Sequence, residues 1–154
     1  MNVAAATDDR VLKLERRLKA KPDRVFAAWI EPEQIAKWFG PGEMKVPRHE
    51  IDARVGGAWT VTMRGPKGNE MTVGGVYREI DPPRRLVFTW AWLADGQRGH
   101  EPGHETEVAV DFSADGNGTL LKLTQRTFAT ADERDKHNMG WSASLEGLAR
   151  LVEA

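Results

Sequence analysis

Arg54-Val-Gly-Gly-Ala-Trp59-Thr-Val-Thr-Met63-Arg64, the Gly65-Pro-Lys-Gly68 turn, Gly74-Gly-Val-Tyr77 and Asp81-Pro-Pro-Arg-Arg-Leu-Val-Phe-Thr-Trp90-Ala-Trp92 decide the fold of this chain. Large apolar residues alternate along these words, with Trp59, Val61 and Met63 on one face and Leu86, Phe88, Trp90 and Trp92 on another. Alternation with a period of two places such residues on one side of a sheet. Glycine and proline clusters separate the runs, as tight turns require. The reading is three successive strands, about Ala58–Arg64, Met71–Ile80 and Arg84–Trp92. So much aromatic area on one sheet face demands a cover.

Downstream, Thr106 to Ser113 alternates with Val108, Val110 and Phe112 inward. Asp115-Gly-Asn-Gly118 is a favoured hairpin turn, and Thr119 to Phe128 returns as the last strand, with Leu121 and Leu123 inward. Thr130-Ala-Asp-Glu133 is a capping box that opens the longest helix, about Ala131 to Val152. His137, Trp141, Leu145, Leu148 and Val152 form a stripe along it, the one apolar surface long enough to cover the sheet. Gly140 interrupts this helix at a cost of about 1 kcal/mol against alanine, which a close helix–sheet approach would explain.

Upstream, Val11 to Leu18 alternates as a half-buried strand. Pro22 suits a first helical position, with Val25, Phe26 and Trp29 on one helical face. A second short helix begins near Pro32, carries Ile35, Trp38 and Phe39, and stops at Gly40-Pro41. Met44 to Asp52 is a weaker strand, and Pro47 suggests an edge or a bulge. These elements imply an α+β domain: an antiparallel sheet of about six or seven strands curled around the C-terminal helix, with two short helices after the first strand.

The 154 residues fit one domain at positions 10–154, preceded by a loose tail at 1–9. Net charge is −1 with both signs interspersed, which gives nucleic-acid binding no support. The chain has no cysteine, so disulfides and thiolate chemistry are excluded. No run approaches the 18 or so apolar residues of a membrane span, and no signal peptide is legible at the start. A cytoplasmic location is the expectation, and the Asn117-Gly-Thr119 triplet then reads as a turn.

The possible reactive words are weak. His100-Glu-Pro-Gly-His104 imitates a zinc-protease motif, but Pro102-Gly103 breaks the helix that would aim both imidazoles at one metal. Gly140-Trp-Ser142-Ala-Ser144 lacks the second glycine and the strand-to-helix turn of a nucleophile elbow. His49 reads as a strand-surface residue. His137, one turn before Trp141, fits either a general base or a hydrogen-bonded residue at a pocket edge, and no partner carboxylate is identifiable.

The words Trp38-Phe-Gly-Pro41, Val55-Gly-Gly57, Gly65-Pro-Lys-Gly68 and Gly75-Val-Tyr77 followed by Ile80 to Trp90 carry a resemblance. Gly118-Thr119 through Leu123, and Gly140-Trp141 with Leu145, extend it over nearly the whole chain. The sequence resembles the activator of heat-shock protein 90 ATPase homologue family, within the SRPBCC (START-like, helix-grip) superfamily. That resemblance implies a helix-grip fold with a hydrophobic cavity between sheet and long helix. About ten residues precede the first strand, so the separate N-terminal domain of the eukaryotic co-chaperones is not expected.

Four of the six tryptophans, Trp59, Trp90, Trp92 and Trp141, converge on the space between sheet and helix. A filled core and an apolar pocket both fit them. The preferred reading is a non-catalytic protein that binds an apolar, aromatic or lipid-like small molecule. The candidate site comprises Trp59, Met63, Met71, Tyr77, Phe88, Trp90, Trp92, Phe112, His137 and Trp141, with Trp38 and Phe39 near its entrance. No metal or cofactor is expected. A cyclase- or hydrolase-type enzyme using His137 and Tyr77, and a chaperone partner, are the alternatives. The chain is read as a monomer or a homodimer.

Overall fold

A computed structural model describes residues 9–40, 42–93 and 103–154. The elements run β1 (Leu12–Leu18), α1 (Pro22–Ile30), α2 (Pro32–Trp38), β2 (Lys45–Ile51), β3 (Ala58–Arg64), β4 (Glu70–Asp81), β5 (Arg85–Trp92), β6 (Thr106–Asp115), β7 (Gly118–Arg126) and α3 (Ala131–Val152). The strands form one antiparallel sheet of seven, ordered β1-β7-β6-β5-β4-β3-β2. Every strand but β1 and β2 therefore lies between two others. The chain crosses from one edge of the sheet to the other through α1 and α2, which cover part of the concave face on the way.

Local chemistry explains the boundaries. Pro22 and Pro32 each start a helix, where the missing N–H has no intrahelical partner to lose. Gly40 ends α2 with φ +102, a conformation that side chains other than glycine rarely adopt. Strand β2 is bulged between Lys45 and Arg48, around Pro47, which cannot donate to a ladder. The β6–β7 pairing continues to Asp115 and Gly118, so the connection is the two-residue turn Gly116-Asn117. Strand β7 stops at Arg126, two residues before the expected end, because Thr127 takes φ 68 and turns the chain away.

Helix α3 starts as the capping signature predicts: the Thr130 hydroxyl accepts from the Glu133 N–H at 3.1 Å. The other half of the box is replaced, since the Glu133 carboxylate lies 3.9 Å from the Lys136 ammonium. Trp141, Ser144, Leu145, Leu148, Ala149 and Val152 are buried along one face. Burying each such leucine contributes about 1.5–3 kcal/mol. At the β1 edge, Arg16 reaches over to pair with Glu146 of α3, which holds that carboxyl below its ordinary pKa. The expected reason for Gly140 is wrong. A Cβ there would meet nothing within 4 Å, whereas one at Gly147 would lie 3.1 Å from the Trp38 carbonyl oxygen. The close helix–helix approach is at Gly147, and Gly140 faces open space.

Candidate functional site

That open space is a cavity of about 390 Å³ between the sheet and the first half of α3. The sheet contributes Met63 from β3, Met71 from β4, and Trp90 and Trp92 from β5. Helix α3 contributes Glu133, Lys136, His137, Gly140, Trp141 and Ser144. Phe39 and Met44, on the segment after α2, close one end. Met71 is 42% exposed and Lys136 is exposed, so these two mark the mouth. Trp90, Trp141, Met63 and Phe39 are buried and form the interior walls.

Two of the aromatic walls, Trp141 and Trp92, are fixed in place by directional hydrogen bonds, whereas the buried Trp90 indole N–H has no partner. The Trp141 indole N–H donates to Gln125 Oε1 at 2.8 Å. The same amide donates from Nε2 to Thr106 Oγ1 at 2.8 Å, and Thr106 donates to the Trp90 carbonyl at 3.2 Å. An indole is a donor alone, so this chain has one possible direction and it sets the orientation of the Gln125 amide. Gln125 is 0% exposed. Burying a polar amide is tolerable because both of its ends are satisfied. The result ties Trp141 of α3 to strands β5, β6 and β7.

His137 is held equally firmly. Its Nδ1 lies 2.7 Å from the Glu133 carbonyl oxygen, and its Nε2 lies 3.1 Å from the Trp92 indole nitrogen. A carbonyl can accept but never donate, and an indole N–H can donate but never accept. These partners put a proton on Nδ1 and leave the Nε2 lone pair occupied by the Trp92 N–H. Phe128 packs against the ring at 5.0 Å between centroids. At the mouth, Lys136 pairs with Asp132 at 3.2 Å and with Glu133 at 3.9 Å.

The twelve residues that the sequence nominated divide into three groups. Phe39, Met63, Met71, Trp90, Trp92, His137 and Trp141 border the cavity. Trp38, Trp59, Tyr77 and Phe88, with Phe39 again, surround a separate void of about 20 Å³, space enough for a single water. Phe112 borders neither, and packs on Phe26 at 5.2 Å and Trp29 at 6.2 Å. Trp59 is turned into that second region, edge-on to Phe88 at 5.5 Å. Burial pushes the Tyr77 phenol well above its ordinary pKa, and the Asp52 carboxylate adds to the shift. Met44, Glu133, Lys136, Gly140 and Ser144 border the cavity without having been nominated. Glu133, Lys136 and Gly140 prolong the Trp141–Val152 stripe of α3 toward its N-terminus, and Ser144 lies within it. Small and polar residues at apolar-stripe positions were the available signal.

Of the zinc-protease imitation, His100, Glu101 and Pro102 lie outside the described residues. His104 bonds the Thr127 carbonyl through Nε2. No cluster of three or more metal-ligating side chains exists among the described residues. No described helix is long and apolar enough to cross a membrane. His49 is exposed on β2.

Residues 19–153 match the family model described as activator of Hsp90 ATPase homolog 1-like protein. This chain belongs to that family. A solved structure from Chromobacterium violaceum is similar, at 30% identity and a TM-score of 0.84, over 96% of this chain and 99% of that one. The structure from Silicibacter pomeroyi described as the AHSA1 protein is 28% identical, with a TM-score of 0.83 over 93% and 97%. A protein of Nitrosomonas europaea shares the fold at 23% identity and a TM-score of 0.79. No protein of curated function matches the chain. The helix-grip architecture is thus common to this family member and its structural relatives.

Proposed function

We propose that this family member binds a small, largely apolar or aromatic molecule in the cavity between the sheet and α3, without transforming it. The carrying observation is the cavity itself: about 390 Å³ walled by buried Phe39, Met63, Trp90 and Trp141, and open at Met71 and Lys136. Ligand sites are typically concave spaces of roughly 300–1,000 Å³ with apolar walls and few polar groups. Methionines adapt to varied shapes, while the hydrogen-bonded indoles give rigid surfaces for stacking. The non-catalytic part of the reading is supported by His137. Its Nε2 lone pair already receives the Trp92 N–H, so it has no vacancy for a substrate proton. A cytoplasmic location accords with the absence of cysteine.

Titration with 1-aminoanthracene, a neutral flat fluorophore that brightens in apolar surroundings, tests the reading. The protein should enhance its emission saturably, at one probe per chain. Gly140→Leu, which sends a side chain into the cavity from a position with nothing nearby, should abolish the enhancement while the melting temperature holds or rises. No enhancement, or one that Gly140→Leu leaves intact, would overturn the proposal. The chaperone role in the family's description is the competing reading, and it predicts altered turnover of a heat-shock ATPase on addition of this protein.

A further inference from the structure

The wall that α3 presents to the cavity contains two features that neither packing nor helix stability explains. Gly140 weakens the helix by about 1 kcal/mol against alanine, yet a Cβ there would meet nothing within 4 Å. Its vacancy belongs to the cavity, which it lines. One turn on, Ser144 is 5% exposed and lines the same cavity. Its hydroxyl makes no hydrogen bond to any described residue, and it is not among the fully buried polar atoms left without a partner. Buried helical serines usually bond back to the carbonyl four residues earlier, and Ser144 does not. Ser142, on the outer face of the same turn, has the Asn138 amide oxygen at 3.3 Å. The inner hydroxyl thus has no protein partner among the described residues, and its residue borders the space where a ligand would lie.

We propose that Gly140 and Ser144 form the recognition face of the site, and that its ligand is a flat, mainly apolar molecule bearing one uncharged hydroxyl or carbonyl group. The flat body lies over Gly140, where the absent side chain lets a ring approach the helix beside Trp90 and Trp141, whose own ring centroids lie 5.1 Å apart. The polar group meets Ser144 Oγ, which can donate to a carbonyl or exchange a hydrogen bond with a hydroxyl. A charged head group is disfavoured in that position. Among the described residues the cation bordering the cavity is Lys136, which is exposed and engaged with Asp132 and Glu133, so a carboxylate beside Ser144 would be buried away from it. This inference rests on the cavity being a ligand site, and it adds which residues select the ligand and by what chemistry.

Displacement of 1-aminoanthracene by 2-naphthol, 2-methylnaphthalene and 2-naphthoate tests it on the whole chain. The first two differ by hydroxyl against methyl at nearly equal size. Ser144→Ala should weaken 2-naphthol by about three- to tenfold, the value of one neutral hydrogen bond, and leave 2-methylnaphthalene within about twofold. Gly140→Leu should exclude both. In the unaltered protein 2-naphthoate should bind more weakly than 2-naphthol. Equal weakening of naphthol and methylnaphthalene by Ser144→Ala would overturn the hydrogen-bonding role. Tightest binding by 2-naphthoate would overturn the uncharged head group and move recognition to Lys136. Either result, obtained with 1-aminoanthracene still bound, refutes this inference alone. Failure of the fluorophore to bind refutes the ligand site beneath it.

Discussion

On one side of the Phe39 ring, α1 and α2 lie over the sheet, and the interior is closed by rings in contact. Trp29 meets Trp38 at 4.7 Å, Trp141 at 5.8 Å and Phe112 at 6.2 Å, and the void that Trp29, Trp38 and Phe88 border is about 20 Å³. On the other side, α2 has already ended at Gly40, Gly140 supplies no side chain, and about 390 Å³ stays open. Both regions are rich in tryptophan. What separates them is the cover: aromatic residues make a core where the layer above presses on them and a wall where, among the described residues, α3 leaves a gap at Gly140. Interiors at native density leave few voids larger than a water, so the open region departs from ordinary packing while its neighbour obeys it.

The contrast can be broken most forcefully from the closed side. Trp29→Ala should cost about 3–5 kcal/mol in chemical denaturation, because its neighbours are held on several elements and cannot collapse into the hole. A loss near 1 kcal/mol would mean that the closed region is loosely packed after all. Gln125→Leu comes next, at about 1–3 kcal/mol. It leaves the Trp141 N–H without an acceptor and the Thr106 hydroxyl without its donor, and it should also loosen the probe's binding site. A stability loss with unchanged 1-aminoanthracene affinity would detach that hydrogen-bond chain from the cavity.

Gly140→Ala should raise stability by about 1 kcal/mol, since the new methyl meets nothing and the helix gains propensity. Destabilisation would show that the space beside Gly140 is too small for a methyl group. The smallest effect is pH-dependent and belongs to Tyr77, the chain's single tyrosine. Burial raises its folded pKa above the unfolded value of 10.0. Its contribution is therefore fully present below about pH 10 and is lost as pH rises beyond that, when the unfolded chain ionises first. Tyr77→Phe should remove this part of the alkaline loss, and phenolate absorbance should appear together with unfolding.

The fold was legible because its signals are local and repeated. Alternation in Ala58–Trp92, prolines at the starts of α1 and α2, and Thr130 before α3 each fix an element with little help from tertiary context. The site was legible in part. Period-two reasoning finds which residues of β3, β4 and β5 face inward, but every one of them faces the same curved interior. Whether Trp59 borders a cavity or a core depends on where α2 stops above it, and that is a matter of three-dimensional placement. Gly140 was misassigned for a related reason: sequence shows that a side chain is absent, and only the neighbours show whether the vacancy is filled. Ser144 was weighed only as part of a rejected nucleophile elbow, because sequence does not show that its residue borders a cavity.

The six indole N–H resonances of the labelled protein, followed as 2-naphthol is added, test the division most directly. The account predicts shifts for Trp92 and Trp141, whose rings border the cavity, with the Trp38 resonance, locked on the Ala28 carbonyl at 2.8 Å in the closed region, standing still. Movement of Trp38 with Trp92 and Trp141 unmoved, or no movement of any resonance at saturating ligand, would contradict it.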